Sequence, residues 1–247
     1  MAVENHRGVV VPRTLGILLT VCAGASAVVV ATTGASAKPV TRAGWGAVVA
    51  SFLVFAAGLV DDLSPAGPRG LRNHLRAMAS GRMTTGIVKL VVVAAAAVVS
   101  VALQGGPKGF VRVAGVVLVA GCANLWNGLD VRPGRALKFG ALGMLGVATA
   151  PFWLLPTLPG VAVGAALALW PDLREHAMLG DAGANLLGFT IGLGLYLVLA
   201  DAWVVVVAVS VVALNVVADT VTLSRVIDAV SPIRWFDRLG RLPDRET

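Results

Sequence analysis

The sequence predicts an all-α protein, a polytopic membrane bundle of about eight transmembrane helices with both termini in the cytoplasm. Three observations lead to this prediction. Hydrophobic residues make up 57% of the 247 positions and charged residues 13%, and the mean hydropathy of +0.85 is far above that of a soluble domain. Charge-free stretches recur along the whole chain. Lysine and arginine are concentrated in alternate connecting segments.

With one exception, each charge-free run is about as long as a single membrane crossing, which takes about 17 to 25 residues. The exception, 139–171, has 33 residues. At about 1.5 Å per residue it would form a helix roughly 50 Å long, enough for two short crossings. Pro151, Pro156 and Pro159 with Gly160 mark the predicted turn between the two. The other runs cover residues 14–37, 43–60, 90–107, 113–129, 182–200 and 202–218.

Positive charge predicts the sidedness of the bundle. Eight crossings place both termini on one side, and the segments on that side hold sixteen of the twenty Lys and Arg residues. Because cytoplasmic loops are enriched in these residues, we expect an inner-membrane protein whose termini and polar loops face the cytoplasm. Residues 1–247 then form a single integral membrane domain. Its cytoplasmic active-site loops are 61–89, 124–138, 171–185 and 219–247.

Composition also excludes several classes of function. Cys22 and Cys122 each lie inside an apolar run, which is typical of buried small side chains and not of a disulfide or a zinc site. The net charge of +7 is not organised into basic blocks interleaved with aromatic residues, so no nucleic-acid partner is expected. Glycine- and alanine-rich apolar faces permit close helix contacts and hence a homodimer.

The motif "AGLVDDLSP" places Asp61 and Asp62 side by side at the end of an apolar run. Adjacent carboxylates repel each other, and near a low-dielectric region one of them would take up a proton unless a cation shared the site. Magnesium suits such oxygen ligands and usually adds substrate phosphates to one or two carboxylates. The pair therefore indicates a magnesium and diphosphate site, with two solvated carboxylates at a helix end as the alternative.

Two further motifs end on the same predicted side. In "NLWNGLD", Asn124, Asn127 and Asp130 share a helix face at a spacing of three residues, so they line a polar cleft or form an amide ladder between helices. In "LGDAGAN", glycines flank Asp181 just before a long apolar run. This pattern predicts a helix start whose free N–H groups meet a phosphate, or an ordinary turn before a helix.

Basic residues are concentrated between the first two acidic motifs. Arg69, Arg72 and Arg76 recur at helical spacing and form one cationic stripe, and Arg82 and Lys89 follow. Such a stripe suits lipid or nucleotide phosphates, with simple determination of the membrane topology as the alternative.

Taken in order, these motifs resemble those of the polyprenyl-phosphate N-acetylhexosamine-1-phosphate transferases, which start peptidoglycan, enterobacterial common antigen and teichoic acid lipid carriers. "NHRGVVVPRTLGI" is similar to the family's first cytoplasmic loop, "GLVDDLSP" to its DDxxD region and "NLWNGLD" to NxxNxxDG. "LGDAGANLLGFTIG" is similar to GDxGSxxxGF, and "SPIRWFDRLGR" to SPFxxDRxHxHH. The matches extend over nearly the whole chain.

The resemblance implies an Mg²⁺-dependent enzyme that moves a sugar-1-phosphate from a UDP-sugar to undecaprenyl phosphate and releases UMP. It implies Asp61, Asp62 and Asp130 as catalytic residues, and Asp181 with Asp62 as magnesium ligands. The expected substrate-binding residues are Asn124, Asn127, Arg72, Arg76, Lys89, Arg132 and Arg135.

The chain departs from the family pattern at several positions. Pro65 stands at the third Asp of DDxxD, Val131 replaces the glycine after Asp130, and Pro133 stands where a second acid is expected. The tail reaches Asp237 and Arg238 but has no histidine pair. A catalytically silent relative that binds polyprenyl phosphate or acts as a scaffold is therefore the alternative. The motifs of aromatic prenyltransferases and CDP-alcohol transferases are absent from the sequence.

Overall fold

A computed structural model of the chain describes residues 2–4, 7–64 and 84–242. In these ranges the protein has ten helices and one short antiparallel hairpin of β1 (Ala2–Glu4) and β2 (Val10–Pro12). Arg72 and Arg76 lie outside the described residues. The helices are α1 (Leu15–Thr33), α2 (Arg42–Leu63), α3 (Thr85–Leu103), α4 (Phe110–Leu129), α5 (Arg135–Gly146), α6 (Leu158–Leu173), α7 (Gly180–Val198), α8 (Asp201–Thr220), α9 (Leu223–Ala229) and α10 (Ser231–Arg238).

Six of the described helices are long and apolar enough to cross a membrane, as the composition predicts for a multi-pass membrane protein. They are α1, α2, α3, α4, α7 and α8. The run 139–171, which is predicted to cross twice, is divided between α5 and α6. These helices have 12 and 16 residues and are shorter than a standard span, so the count of eight stays a prediction.

The turn between α5 and α6 covers residues 147–157 and contains Pro151 and Pro156, as predicted, whereas Pro159 lies in the first turn of α6. The tip of this turn meets the ends of α2 and α3. The Trp153 carbonyl accepts a hydrogen bond from the Thr41 amide at 3.1 Å, and the Leu154 carbonyl accepts one from Gln104 at 3.1 Å. These short helices and their turn therefore reach the end of α2 opposite to Asp61.

Helix α7 is the centre of the bundle and is largely buried among α1, α2, α4 and α5. Small residues permit this packing. A Cβ on Gly58 of α2 would lie 2.6 Å from the Cα of Ala182, and a Cβ on Gly188 would lie 2.4 Å from the Cys122 carbonyl oxygen. Because no side chain fits at either contact, glycine is required for α2 and α4 to approach α7.

The N-terminal hairpin anchors the chain to the start of α7. Arg13 forms a parallel bridge with Met178, whose amide donates to the Pro12 carbonyl at 2.8 Å. The Leu15 amide in turn donates to the Met178 carbonyl at 3.2 Å. The loop before α7 is thereby held against the residues that precede α1.

Candidate active site

Four acidic residues that are far apart in the sequence meet at one end of the bundle. Asp61 and Asp62 lie in the last turn of α2, Asp130 caps the C-terminus of α4, and Asp181 lies in the first turn of α7. Asp61 and Asp181 share Lys89, and Asp62 accepts a hydrogen bond from the Asp181 amide. Asp130 joins them by accepting a hydrogen bond from the amide of Gly180, the residue before Asp181. We refer to this end as the acidic end of the bundle.

Asp62 caps the N-terminus of α7 from the neighbouring helix α2. Its Oδ1 accepts hydrogen bonds from the Asp181 amide at 3.1 Å and from Arg13 at 3.1 Å, and its Oδ2 accepts one from the Ala182 amide at 3.0 Å. A carboxylate at this position satisfies amides that have no partner within their own helix and interacts favourably with the helix dipole. These contacts favour a positioning role for Asp62 over the predicted catalytic and metal-binding roles.

The first glycine of the "LGDAGAN" motif is required by its backbone conformation and by the closeness of Asp62. Gly180 has φ +72°, and a Cβ at this position would lie 2.8 Å from Oδ2 of Asp62. Its amide donates to Oδ2 of Asp130 at 2.9 Å. The amides of Gly180, Asp181 and Ala182 are thus all bound to carboxylates, which corrects the expectation that these N–H groups are free to meet a phosphate.

Lys89 lies between two of the acids. Its ammonium donates to Oδ2 of Asp61 at 2.7 Å and also to Oδ2 of Asp181. Thr85, one turn earlier on α3, donates to Oδ1 of Asp61 at 2.5 Å. The side chain of Lys89 is only 9% exposed, whereas those of Asp61 and Asp181 are 18% and 29% exposed. The ammonium therefore compensates two carboxylates that partly face solvent.

The asparagine stripe of α4 divides between two roles. Oδ1 of Asn127 is 3.4 Å from the side-chain Nδ2 of Asn185, and this Nδ2 also donates to the Asp181 carbonyl at 2.6 Å. Asn124 instead donates to Asn215 of α8 at 2.6 Å. This contact matches the second of the two predicted roles, an amide ladder between helices. Asn127 thus joins the acidic end, while Asn124 holds α4 to α8. Asn185 was not predicted, although its position one turn after Asp181 places both on one helix face.

A cleft opens beside Asp130 and is lined by Arg132, Asp172, Glu175 and Met178. Asp172 is buried, and its Oδ2 accepts a hydrogen bond from the Gly134 amide at 2.8 Å. Burial raises the pKa of Asp172 to about 7. Burial, together with the nearby charge of Asp172, also raises the pKa of Asp130 well above its ordinary value.

Sequence reasoning missed Asp172, because a single acid at a helix end has no pattern that distinguishes it from a solvated charge. Arg132, a predicted substrate-binding residue, lines the same cleft and is partly exposed. The cleft adjoins the acidic end through Asp130.

Arg135 is buried away from the cleft. It is 1% exposed, and its Nε and Nη2 donate to the two oxygens of Asp237 at 2.8 and 2.9 Å. Its Nη1 donates to Ser224 at 2.7 Å. Burial alone would raise the pKa of Asp237, but the hydrogen bonds and charge of Arg135 hold it below its ordinary value. These contacts favour a structural role for Arg135 over the predicted contact with substrate.

Two more cations join this pair. Lys138 donates to the carbonyls of Asp237 and Leu239, and Arg241 pairs with the Asp237 carboxylate and donates to the Pro133 carbonyl at 2.9 Å. The C-terminal tail is thereby fastened to the loop that carries Asp130. We call this group the tail latch; its members are Arg135, Lys138, Asp237 and Arg241.

No model of a known protein family matches the chain, and no curated protein matches it. A functional assignment therefore depends on the motifs and on the geometry of the acidic end.

Proposed function

We propose that the protein is a phosphoglycosyl transferase that moves a sugar-1-phosphate from a UDP-sugar, such as a UDP-N-acetylhexosamine, to undecaprenyl phosphate. The observation that carries this proposal is the convergence of Asp61, Asp130 and Asp181 around Lys89 and the start of α7. Three segments separated by at least 50 residues supply these acids, and carboxylates gathered at a membrane boundary are costly to keep without a use.

The proposed reaction is a substitution at phosphorus. A phosphate oxygen of undecaprenyl phosphate attacks the β-phosphorus of the UDP-sugar, the bond between that phosphorus and the bridging oxygen breaks, and UMP leaves with the bridging oxygen. Lys89 and Arg132 supply positive charge for the phosphates, and Asp61, partly exposed beside Lys89, positions the attacking group. Asp62 and Asp130 hold the α7 N-terminus in place through its amides.

The donor set of the acidic end fits magnesium. The described residues contain no group of three or more His, Cys, Asp or Glu side chains that would hold an ion unaided. Magnesium usually takes only one or two carboxylates and completes its shell with water and substrate phosphates. Asp181 and Asp61 would hold it, because both side chains are partly exposed and lie beside the same ammonium. When bound, the ion would neutralise negative charge on the diphosphate.

The proposal includes the membrane arrangement. The acidic end would face the cytoplasm of an inner membrane, where nucleotide sugars are available, and both termini would lie on that side. The pair α5 and α6 would complete eight crossings, since its turn meets α2 and α3 at the opposite end. The small-residue helix faces permit a homodimer.

The direct test is UMP release by the purified protein from a panel of UDP-sugars with undecaprenyl phosphate and Mg²⁺. Asp181→Asn should abolish metal-dependent release while the protein stays folded. Asp228→Asn is the matched control, because Asp228 is exposed on α9 and belongs to neither the acidic end nor the tail latch. Full activity of Asp181→Asn would refute its role as a magnesium ligand.

A second candidate is a silent relative that binds polyprenyl phosphate without turnover. The observation in its favour is that Asp61, Asp62 and Asp181 already form ion pairs within the protein, with Lys89 and Arg13. Retained undecaprenyl phosphate binding with no UMP release across the panel would select this candidate over the transferase.

A further inference from the structure

The last described part of the chain, residues 221–242, forms an element with two different faces. We call it the tail segment; it contains α9, α10 and their flanking residues. Its inner face is fastened to the bundle, since Asp237 belongs to the tail latch and Phe236 packs edge-on against Phe139 of α5, with ring centroids 5.5 Å apart. Leu223 of α9 lies against Gly128 in the last turn of α4.

These contacts determine the depth of the tail segment. Gly128 is near the end of α4, one of the six helices able to cross a membrane, and Phe139 is in the second turn of α5. Helix α8 leads directly into the tail segment after Thr220 and leaves most of its own surface open. The tail segment therefore lies level with the boundary where the spanning helices end.

The outer face of the tail segment carries large apolar side chains that no other described part of the chain covers. Trp235 is 67% exposed and Leu239 is 50% exposed, and both lie on the α10 side that also carries Arg238. Val221 and Val230 add exposed apolar surface on either side of α9. Tryptophan at the end of a spanning region is typical of the membrane interface, where its ring contacts both apolar and polar groups.

The charges outside the tail latch favour an anionic surface. The tail segment carries Arg225, Arg234 and Arg238 against a single acid, Asp228. Basic residues beside a membrane-interfacial apolar face attract acidic lipid headgroups. The exposed apolar surface of α8 is continuous with this face along the chain and supplies the adjoining lipid contact.

We propose that the outer face of the tail segment lies in the headgroup layer of the membrane and prefers anionic lipid. The occupant of this face is thus a lipid surface and not a second protein. The tail latch then connects a lipid-bound element to the loop that carries Asp130 and Arg132. This inference does not depend on the transferase reaction, and its test measures no turnover.

The test uses a nitroxide spin label on the full-length protein in lipid nanodiscs, with Cys22→Ala and Cys122→Ala as the background. Labels are placed separately at Trp235→Cys and Leu239→Cys. Glu4→Cys, on the exposed edge of the N-terminal hairpin, is the control for a solvated site at the same end. The readout is the ratio of accessibility to oxygen over accessibility to a water-soluble nickel complex.

We expect this ratio to be several-fold higher at positions 235 and 239 than at position 4. It should rise further when phosphatidylglycerol is added to phosphatidylcholine, and Arg225→Gln with Arg238→Gln should reduce that rise by more than half. Ratios at both tail positions equal to that at position 4 would overturn the proposal and indicate a face open to a soluble partner. A high ratio that is insensitive to phosphatidylglycerol in the unsubstituted protein would overturn the anionic preference.

Discussion

Removing the carboxylate of Asp62 tests whether this residue caps α7. Asp62→Ala deprives two backbone amides and Arg13 of their acceptor. The Ala182 amide belongs to a residue that is 3% exposed. Leaving this donor without an acceptor should therefore cost near the upper end of the range of about 1 to 3 kcal/mol for a buried unsatisfied donor. The Asp181 amide is closer to solvent and adds about 1 kcal/mol. Arg13 is partly solvated, and its lost pair adds less than about 1 kcal/mol.

The expected total is a loss of about 4 kcal/mol in the free energy of unfolding. Asp62→Asn keeps one acceptor oxygen and should lose about 1 to 2 kcal/mol. The measurement is equilibrium unfolding in mixed micelles with increasing sodium dodecyl sulfate, followed by far-ultraviolet circular dichroism.

Asp61→Ala is the matched control, because Asp61 is the adjacent acid in the same helix turn but accepts only side-chain hydrogen bonds. Its side chain is also more exposed, so a smaller loss of about 1 to 2 kcal/mol is expected. If Asp62→Ala is no more destabilising than Asp61→Ala, Asp62 does not hold the start of α7, and the positioning role assigned to it is refuted.

Three further predictions concern the tail latch, the cleft and the central cation. Asp237→Asn should lower the free energy of unfolding by about 3 to 5 kcal/mol, because the buried guanidinium of Arg135 loses its charged partner. The double variant Arg135→Met with Asp237→Leu should lose much less, and equal losses in detergent unfolding would contradict this account. Folding raises the pKa of Asp172 from 3.8 to about 7, so its ionisation costs stability as the pH rises through that window. Asp172→Asn should therefore be more stable than the wild type at about pH 8 by up to about 4 kcal/mol, since each of the roughly 3 pKa units corresponds to about 1.4 kcal/mol, with the difference shrinking as the pH falls; a gain that is independent of pH would rule out this cause. Lys89→Met should lower UMP release at least about tenfold, or about 1.4 kcal/mol of barrier, because two facing carboxylates lose their shared cation, whereas Lys89→Arg should keep more activity. Unchanged release by Lys89→Met would exclude Lys89 from the reaction.

Several features of the fold and the site were predictable because they depend on local patterns. Long charge-free runs predict spanning helices, since an apolar helix is the stable form of such a segment in lipid, and six such helices are present in the described residues. The proline-rich turn within 139–171 is predictable as well, because that run is too long for one crossing and its prolines mark a break in the helix. The motifs around Asp61, Asp130 and Asp181 were also visible as acids at helix ends.

The partners of these residues could not be predicted, because they come from distant parts of the chain. The sequence predicts that Arg135 is a basic loop residue available to substrate, yet its guanidinium is buried against Asp237, which lies 102 positions later in the chain. The sequence predicts that Asp62 binds a metal together with a second acid, yet Asp62 caps α7, which starts more than 100 residues later in the chain.

The sequence by itself determined that the main helices are apolar enough for a membrane, where these helices run and which residue types lie at their ends. Hydropathy and helix termination are local properties, so no tertiary contact is needed to predict them. Only the tertiary structure decided which charges compensate each other. A buried charge requires a partner within hydrogen-bonding distance, and that distance depends on how closely the helices pack. Gly58 lets α2 approach α7 near enough for Asp62 to cap it, and the same approach brings Asp61 and Asp181 to Lys89.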